Sequence, residues 1–142
     1  MHTAFVPSTE KASLKNIMMQ KSNRRATGNA GEEFAARTLE NSGYTILCRN
    51  YTCKGGEIDI IATYQSFLCF VEVKLRSLES GETASLSVDD KKLGNIRHAI
   101  EQFLNEYSDN QYISSLSARV DIFEVYTSGG VITKHNHITG IL

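Results

Sequence analysis

Asp59, Glu72 and Lys74 are the residues of this 142-residue chain whose types and spacing could do chemistry together. They lie in two runs, Gly55-Gly56-Glu57-Ile58-Asp59-Ile60-Ile61-Ala62 and Phe70-Val71-Glu72-Val73-Lys74, and each run reads as a β-strand. A hairpin closed by the two-residue loop Gln65-Ser66 pairs Tyr64 with Phe67, Ile60 with Val71 and Ile58 with Val73. Asp59 then faces Glu72. Side chains alternate along a strand, so Ile58 and Ile60 share one face, and Asp59, Glu72 and Lys74 share the other. Two carboxylates directly across a strand pair have Cβ atoms roughly 5 Å apart and repel one another. A divalent cation held between them is the natural compensation.

The elements around this hairpin must position it. Residues 29–41 have helical spacing, with Asn29 and Glu32 as a capping pair and Gly43 ending the run. Glu32, Ala35, Ala36 and Leu39 fall on one face, which places a carboxylate at the edge of a buried small-residue stripe. Glu32 therefore has two readings, a helix cap or a member of the charged site. Glu33, four residues before Arg37, makes a solvent-side ion pair. Residues 44–51 form the first strand, and Lys54-Gly55-Gly56 is a turn. Ser77 to Ser87 is a polar loop. Ser87 and Asp90 then open a helix over residues 88–107 whose stripe of Leu93, Ile96, Ile100, Phe103, Leu104 and Tyr107 must cover a sheet. Lys91 and Lys92 stand near its N-terminus, where the helix dipole also favours phosphate. Residues 119–126 form a strand parallel to one before the helix, Arg119 and Asp121 share a face as a structural pair, and Val131 to Lys134 is a short last strand. The order is helix, three strands, helix, and one or two strands, an α/β fold around a mixed sheet.

Composition agrees with a soluble globular chain: 41% hydrophobic and 22% charged residues, no long apolar run and no secretory layout at the N-terminus. The expectation is a cytoplasmic protein with no membrane segment. Residues 26–142 read as a single domain, preceded by a basic, flexible segment over residues 1–25. Within that segment Leu14, Ile17 and Met18 have helical spacing, and Lys11 to Arg25 carries five basic residues and no acid. Cys48, Cys53 and Cys69 are odd in number and lack zinc spacing, so they read as reduced structural thiols. His135 and His137 read as surface residues. The net charge of −1 leaves nucleic acid open as a partner, because distribution matters more than the sum.

The sequence also resembles a known family. Asp on one strand and Glu-x-Lys on the next, in αβββαβ order, is similar to the PD-(D/E)xK restriction-endonuclease-like superfamily. More narrowly, Gly31-Glu32-x-x-Ala35, Gly43-Tyr44-x-Ile46-Leu47-x-x-Asn50-Tyr51, Gly56-Glu57-Ile58-Asp59-Ile60-Ile61 and Phe70-Val71-Glu72-Val73-Lys74-x-Arg76 resemble the YraN family of small bacterial proteins, themselves similar to archaeal Holliday-junction resolvases. The likeness runs from about Gly28 through Arg119-Val120-Asp121, and Gly94 departs from it in a helix interior.

The resemblance implies an endonuclease-like core and a metal-dependent phosphodiesterase acting on nucleic acid, DNA above all, in branched or structured form. It implies that Asp59, Glu72 and the Val73 carbonyl hold Mg²⁺ or Mn²⁺, that Lys74 orients water or neutralises phosphate charge, and that Glu32 joins through water or a second ion. Glu57 is either outer to that site or a plain surface residue. Gly56, Arg76, Lys91 and Lys92 meet the nucleic acid. Resolvase-like cutting adds a homodimer, for which no surface is readable here. The alternative is a non-catalytic nucleic-acid-binding or adaptor protein on the same fold, and a third reading is a purely structural protein.

Overall fold

The computed structural model describes residues 30–80 and 90–142. The basic N-terminal run, the short helix at Leu14 to Met18, the Asn29 cap, most of the polar loop and the Ser87 capping box all lie outside the described residues. Within them the order is α1 (Ala30–Asn41), β1 (Thr45–Cys53), β2 (Gly56–Tyr64), β3 (Phe67–Ser77), a 3₁₀ turn (Leu78–Ser80), α2 (Asp90–Glu106), α3 (Gln111–Ser115), β4 (Ser117–Ser128) and β5 (Val131–Ile138). This is the expected αβββαβ core, extended by the five-residue α3 and a longer final strand. Asn110 caps α3, its side chain accepting from the Ile113 amide at 3.0 Å.

The five strands form one mixed sheet in sequential order. β3 and β4 are parallel, as a connection that contains a helix requires, and the other neighbours are antiparallel. Helices cover both faces. On one side, Ala35, Ala36 and Leu39 of α1 pack with Ile46, Ile60, Val71 and Phe123. On the other, Ala99 and Phe103 of α2 pack with Leu47, Ile58, Ile61 and Phe70. Phe103 meets the rings of Tyr51, Phe70 and Tyr107 at centroid distances of 5.3, 5.7 and 4.7 Å, distances typical of interacting aromatic pairs. The apolar stripe read from the sequence is therefore the face that α2 buries.

Pairing between β2 and β3 follows the predicted register, from Tyr64 with Phe67 to Ile60 with Val71. Gln65 has φ 53, the sign that a primed two-residue turn needs at its first loop position. The ladder then ends, and Asp59 and Glu72 are not paired within it. A second expectation also fails. Ile60 belongs to the α1 side and Ile58 to the α2 side, so the two do not share a face. The change of face occurs where Asn50 of β1, with φ 54, lies between the pairs Arg49 with Ile60 and Tyr51 with Ile58. Asparagine tolerates this left-handed conformation better than most residues. A strand that contains it loses strict alternation.

Gly55, with φ 96, turns the chain between β1 and β2, and Gly56 lets α2 approach. A Cβ on Gly56 would stand 2.3 Å from the Asn95 carbonyl oxygen and 3.2 Å from the Ala99 Cβ. Gly94, by contrast, has nothing within 4 Å of where its Cβ would be. Gly56→Ala is expected to destabilise the protein by about 2–4 kcal/mol by pushing α2 off the sheet. Gly94→Ala is expected to stabilise it by about 1 kcal/mol through helix propensity. Urea unfolding of the two variants checks both signs, and a neutral Gly56→Ala would show that α2 is loosely seated.

Candidate metal and nucleic-acid site

Where the β2–β3 ladder stops, the Asp59 side chain takes over its hydrogen bonding. The Val73 amide donates to Asp59 Oδ2 at 2.8 Å. In an extended residue the N–H and C=O leave the strand on the same side, so the Val73 carbonyl also projects toward this edge. Glu72 lies on the face that holds Leu68 and Phe70, the α2 side. It is 5% exposed. Its Oε1 lies 2.9 Å from Lys92 Nζ and 3.5 Å from Lys74 Nζ, so two ammonium groups converge on one oxygen.

Burial drives the Asp59 carboxyl up to about 7, the charge of Glu72 pushes in the same direction, and Glu32 adds to it. The Val73 amide and Lys92 oppose the rise without cancelling it. Lys92 is held above its ordinary value by its hydrogen bond to Glu72, with the charges of Asp59 and Glu57 contributing further. The arrangement is a crowded set of carboxylates short of positive charge. Among the described residues no three His, Cys, Asp or Glu side chains stand together in a metal-holding arrangement. The available donor set is two carboxylates and a backbone carbonyl. That suits Mg²⁺ or Mn²⁺, since Mg²⁺ needs only one or two protein carboxylates and completes its shell with water and phosphate oxygens.

Glu32 is buried on α1, as its helical position predicts. Its Oε1 meets Arg49 Nη2 at 3.4 Å, and Arg49 Nη1 donates to Glu33 Oε2 at 2.8 Å. Arg49 therefore joins α1 to β1, a role that sequence reading missed. Glu33 is bonded to the core-side Arg49 as well as to Arg37 at 3.6 Å, so it is more than a solvent-side partner. The Arg49 hydrogen bond is the main reason its carboxyl lies below the ordinary range.

The residues expected at the nucleic acid divide. Lys91 is exposed on the first turn of α2. Lys92 reaches inward to Glu72. It also lines, with Cys53, Gly56, Glu57 and Asn95, a cleft of about 460 Å³. Gly56 is half-buried under α2. Arg76 departs from expectation. It is 8% exposed, and its Nε donates to Glu124 Oε2 at 2.8 Å, so its guanidinium neutralises an interior carboxylate that would otherwise be costly to bury. Glu57 is exposed at the cleft rim.

His135 is exposed, as expected of a surface residue, and His137 is partly exposed, but both have partners. The His135 ring stacks on Phe123 at 5.4 Å, and His137 Nε2 lies 2.9 Å from Asp121 Oδ2. Asp121 is 0% exposed and also accepts from Arg119 Nε at 3.0 Å and the Gly140 amide at 3.1 Å. Arg119 donates in addition to the Tyr44 hydroxyl at 2.7 Å. Arg119 and Asp121 are thus the structural pair expected, enlarged by His137 and Tyr44. All three cysteines are free thiols. Burial pushes Cys69 up to about 11.

Residues 31–125 match the model of the Uncharacterised protein family UPF0102. The chain belongs to this family. It is the YraN family that the motifs resemble. A UPF0102 protein of Carboxydothermus hydrogenoformans is 41% identical over 103 residues, covering 72% of this chain and 84% of that protein. UPF0102 protein TTE1452 of Caldanaerobacter subterraneus subsp. tengcongensis is 38% identical over 122 residues, covering 84% and 97%. A third, from Myxococcus xanthus, is 36% identical over 117 residues, covering 82% and 89%. This UPF0102 chain also contains no helix, among its described residues, long and apolar enough to cross a membrane.

The raised Asp59 carboxyl has a measurable consequence. Its value is about 7 in the fold against 3.8 for an ordinary Asp, so between those pH values the folded state binds more protons than the unfolded state. Metal-free stability must therefore fall as pH rises through that window. Asp59→Asn keeps an acceptor for the Val73 amide and removes the charge. It is expected to be more stable than wild type by on the order of 2 kcal/mol at pH 8, with little difference left at pH 4. Chelator-treated protein melted at both pH values tests this, and equal stability at pH 8 would show that Asp59 ionises without penalty.

Proposed function

We propose that this protein is a cytoplasmic, metal-dependent nucleic-acid phosphodiesterase of the PD-(D/E)xK type, acting on DNA in branched or structured form. The observation that carries this reading is the pair of half-buried Asp59 and buried Glu72, held at the end of the β2–β3 ladder with Lys74 on the Glu72 oxygen. Carboxyls raised by burial and a neighbouring like charge cluster at functional sites, and this supports the reading.

Asp59, Glu72 and the Val73 carbonyl would hold Mg²⁺ or Mn²⁺. When bound, the ion supplies a lowered water pKa and charge stabilisation at the scissile phosphate. Lys74 orients water or offsets phosphate charge that develops in the transition state. The Val73 amide fixes the Asp59 carboxylate, and Arg49 holds Glu32 at the α1 edge of the site. Lys91 and the cleft rim at Gly56 take backbone phosphates, which gives affinity without base readout. Arg76 is left out of this set, being committed to Glu124. Symmetric cutting of a four-way substrate would require a two-fold dimer.

Wild type is expected to cleave at least one member of a panel of single-stranded, duplex and four-way DNA in Mn²⁺ or Mg²⁺. Glu72→Ala and Lys74→Ala should each lower the rate at least about 100-fold. No cleavage of any substrate by wild type, with salt-sensitive binding retained, would overturn the enzymatic reading in favour of a non-catalytic binding protein.

A further inference from the structure

Lys92 stands where an incoming cation must go. Its ammonium lies 2.9 Å from Glu72 Oε1, closer than the 3.5 Å of Lys74 to the same oxygen. Glu72, Asp59 and Glu57 all act on it electrostatically. It is thus a positive charge that, with Lys74, opposes a carboxylate cluster that burial alone would make unfavourable. A divalent cation at Asp59 and Glu72 would bring two further positive charges onto the oxygen that Lys92 grips. Ammonium and metal would then repel at close range in a poorly solvated place, so the two cannot share Glu72 comfortably.

The two lysines differ in their freedom to leave. Lys74 extends from β3 on the same strand face as Glu72, two residues away, so the strand itself keeps it beside the carboxylate. Lys92 comes from the first turn of α2, its side chain is 36% exposed, and it borders the cleft together with Glu57. A swing about its own side-chain torsions would carry the ammonium from Glu72 into that cleft.

We propose that Lys92 is an exchangeable internal counter-ion, which holds Glu72 in the metal-free protein and is displaced into the neighbouring cleft when a divalent cation binds. This rests on the metal-site reading above and adds a role for a residue outside the Asp and Glu-x-Lys pattern. Displacement also releases from Glu72 the charge of a residue that already lines the cleft. Phosphate affinity there is thereby coupled to metal occupancy.

The test is calorimetric titration of Mn²⁺ into wild type, Lys92→Met, Lys92→Gln and Lys92→Arg, with melting curves for each protein with and without Mn²⁺. Removing the competing charge in Lys92→Met and Lys92→Gln should tighten Mn²⁺ binding about five- to tenfold, while Lys92→Arg stays near wild type. The metal-free melting temperature should fall in the Met and Gln variants, and saturating Mn²⁺ should raise it more than in wild type. Lys92→Gln retains a donor to Glu72, so it reads out the charge if Lys92→Met folds poorly. Measurable wild-type binding that the neutral variants leave unchanged or weaken would overturn the counter-ion role and leave the metal site standing. Absence of Mn²⁺ binding in all four proteins would overturn both.

Discussion

Between β2 and β3 a backbone ladder gives way to one side-chain bond, Val73 N–H to Asp59 Oδ2 at 2.8 Å, and the shape of the site depends on that replacement. A continued ladder would set Asp59 and Glu72 as ordinary cross-strand neighbours. Instead the strand pairing ends at Ile60 and Val71, the Asp59 carboxylate turns toward the β3 edge, and Glu72 stays on the α2 face. Two acids are thereby held near each other in directions that the strands alone would not provide. The left-handed Asn50 on the neighbouring strand lets β1 change face at the same level. Two local departures from regular sheet geometry thus coincide at the residues of chemical interest, as is common at sites where strands must re-aim side chains.

The helices hold this irregular point from both sides. α2 seats its backbone on Gly56, so the turn that leads into Asp59 cannot shift without moving the helix that carries Lys92. From the other side α1 is tied through Glu32 and Glu33 to Arg49 of β1. These are charged contacts in partly buried surroundings, where losing one partner costs more than the pair contributes. The apolar clusters beneath them supply the stability that such an arrangement consumes.

Two aspartates in the same sheet show how environment separates support from chemistry. Asp121 is fully buried, and burial opposes its ionisation, but His137, Arg119 and the Gly140 amide outweigh that and bring its carboxyl below the ordinary range. For Asp59 burial wins: with two other carboxylates adding to it and the Val73 amide and Lys92 only partly opposing it, the carboxyl rises. Asp121 is satisfied and immobile, tying β4 to the C-terminal residues. Asp59 is left with less compensation for its charge, the condition in which a carboxyl tends to hold a proton.

Much of this was legible in the residue order. Helical spacing placed Glu32 on a buried face, the stripe from Leu93 to Tyr107 required a sheet beneath α2, and the separation between β3 and β4 required them to be parallel. The turn at Gln65-Ser66 set the register as far as Ile60 and Val71. These are local rules of period and loop length, which a sequence obeys wherever its backbone is regular. The tertiary structure alone decided where regularity ends. It put Asn50 of β1 in a left-handed conformation and, at the same level of β2, Ile58 on the face opposite Ile60. It assigned Arg76 to Glu124, Arg49 to α1 and His137 to Asp121, partners distant in sequence that no spacing rule connects. It also brought Lys92 onto Glu72, because only the packing of α2 on Gly56 determines which of two adjacent lysines turns inward and which remains in solvent.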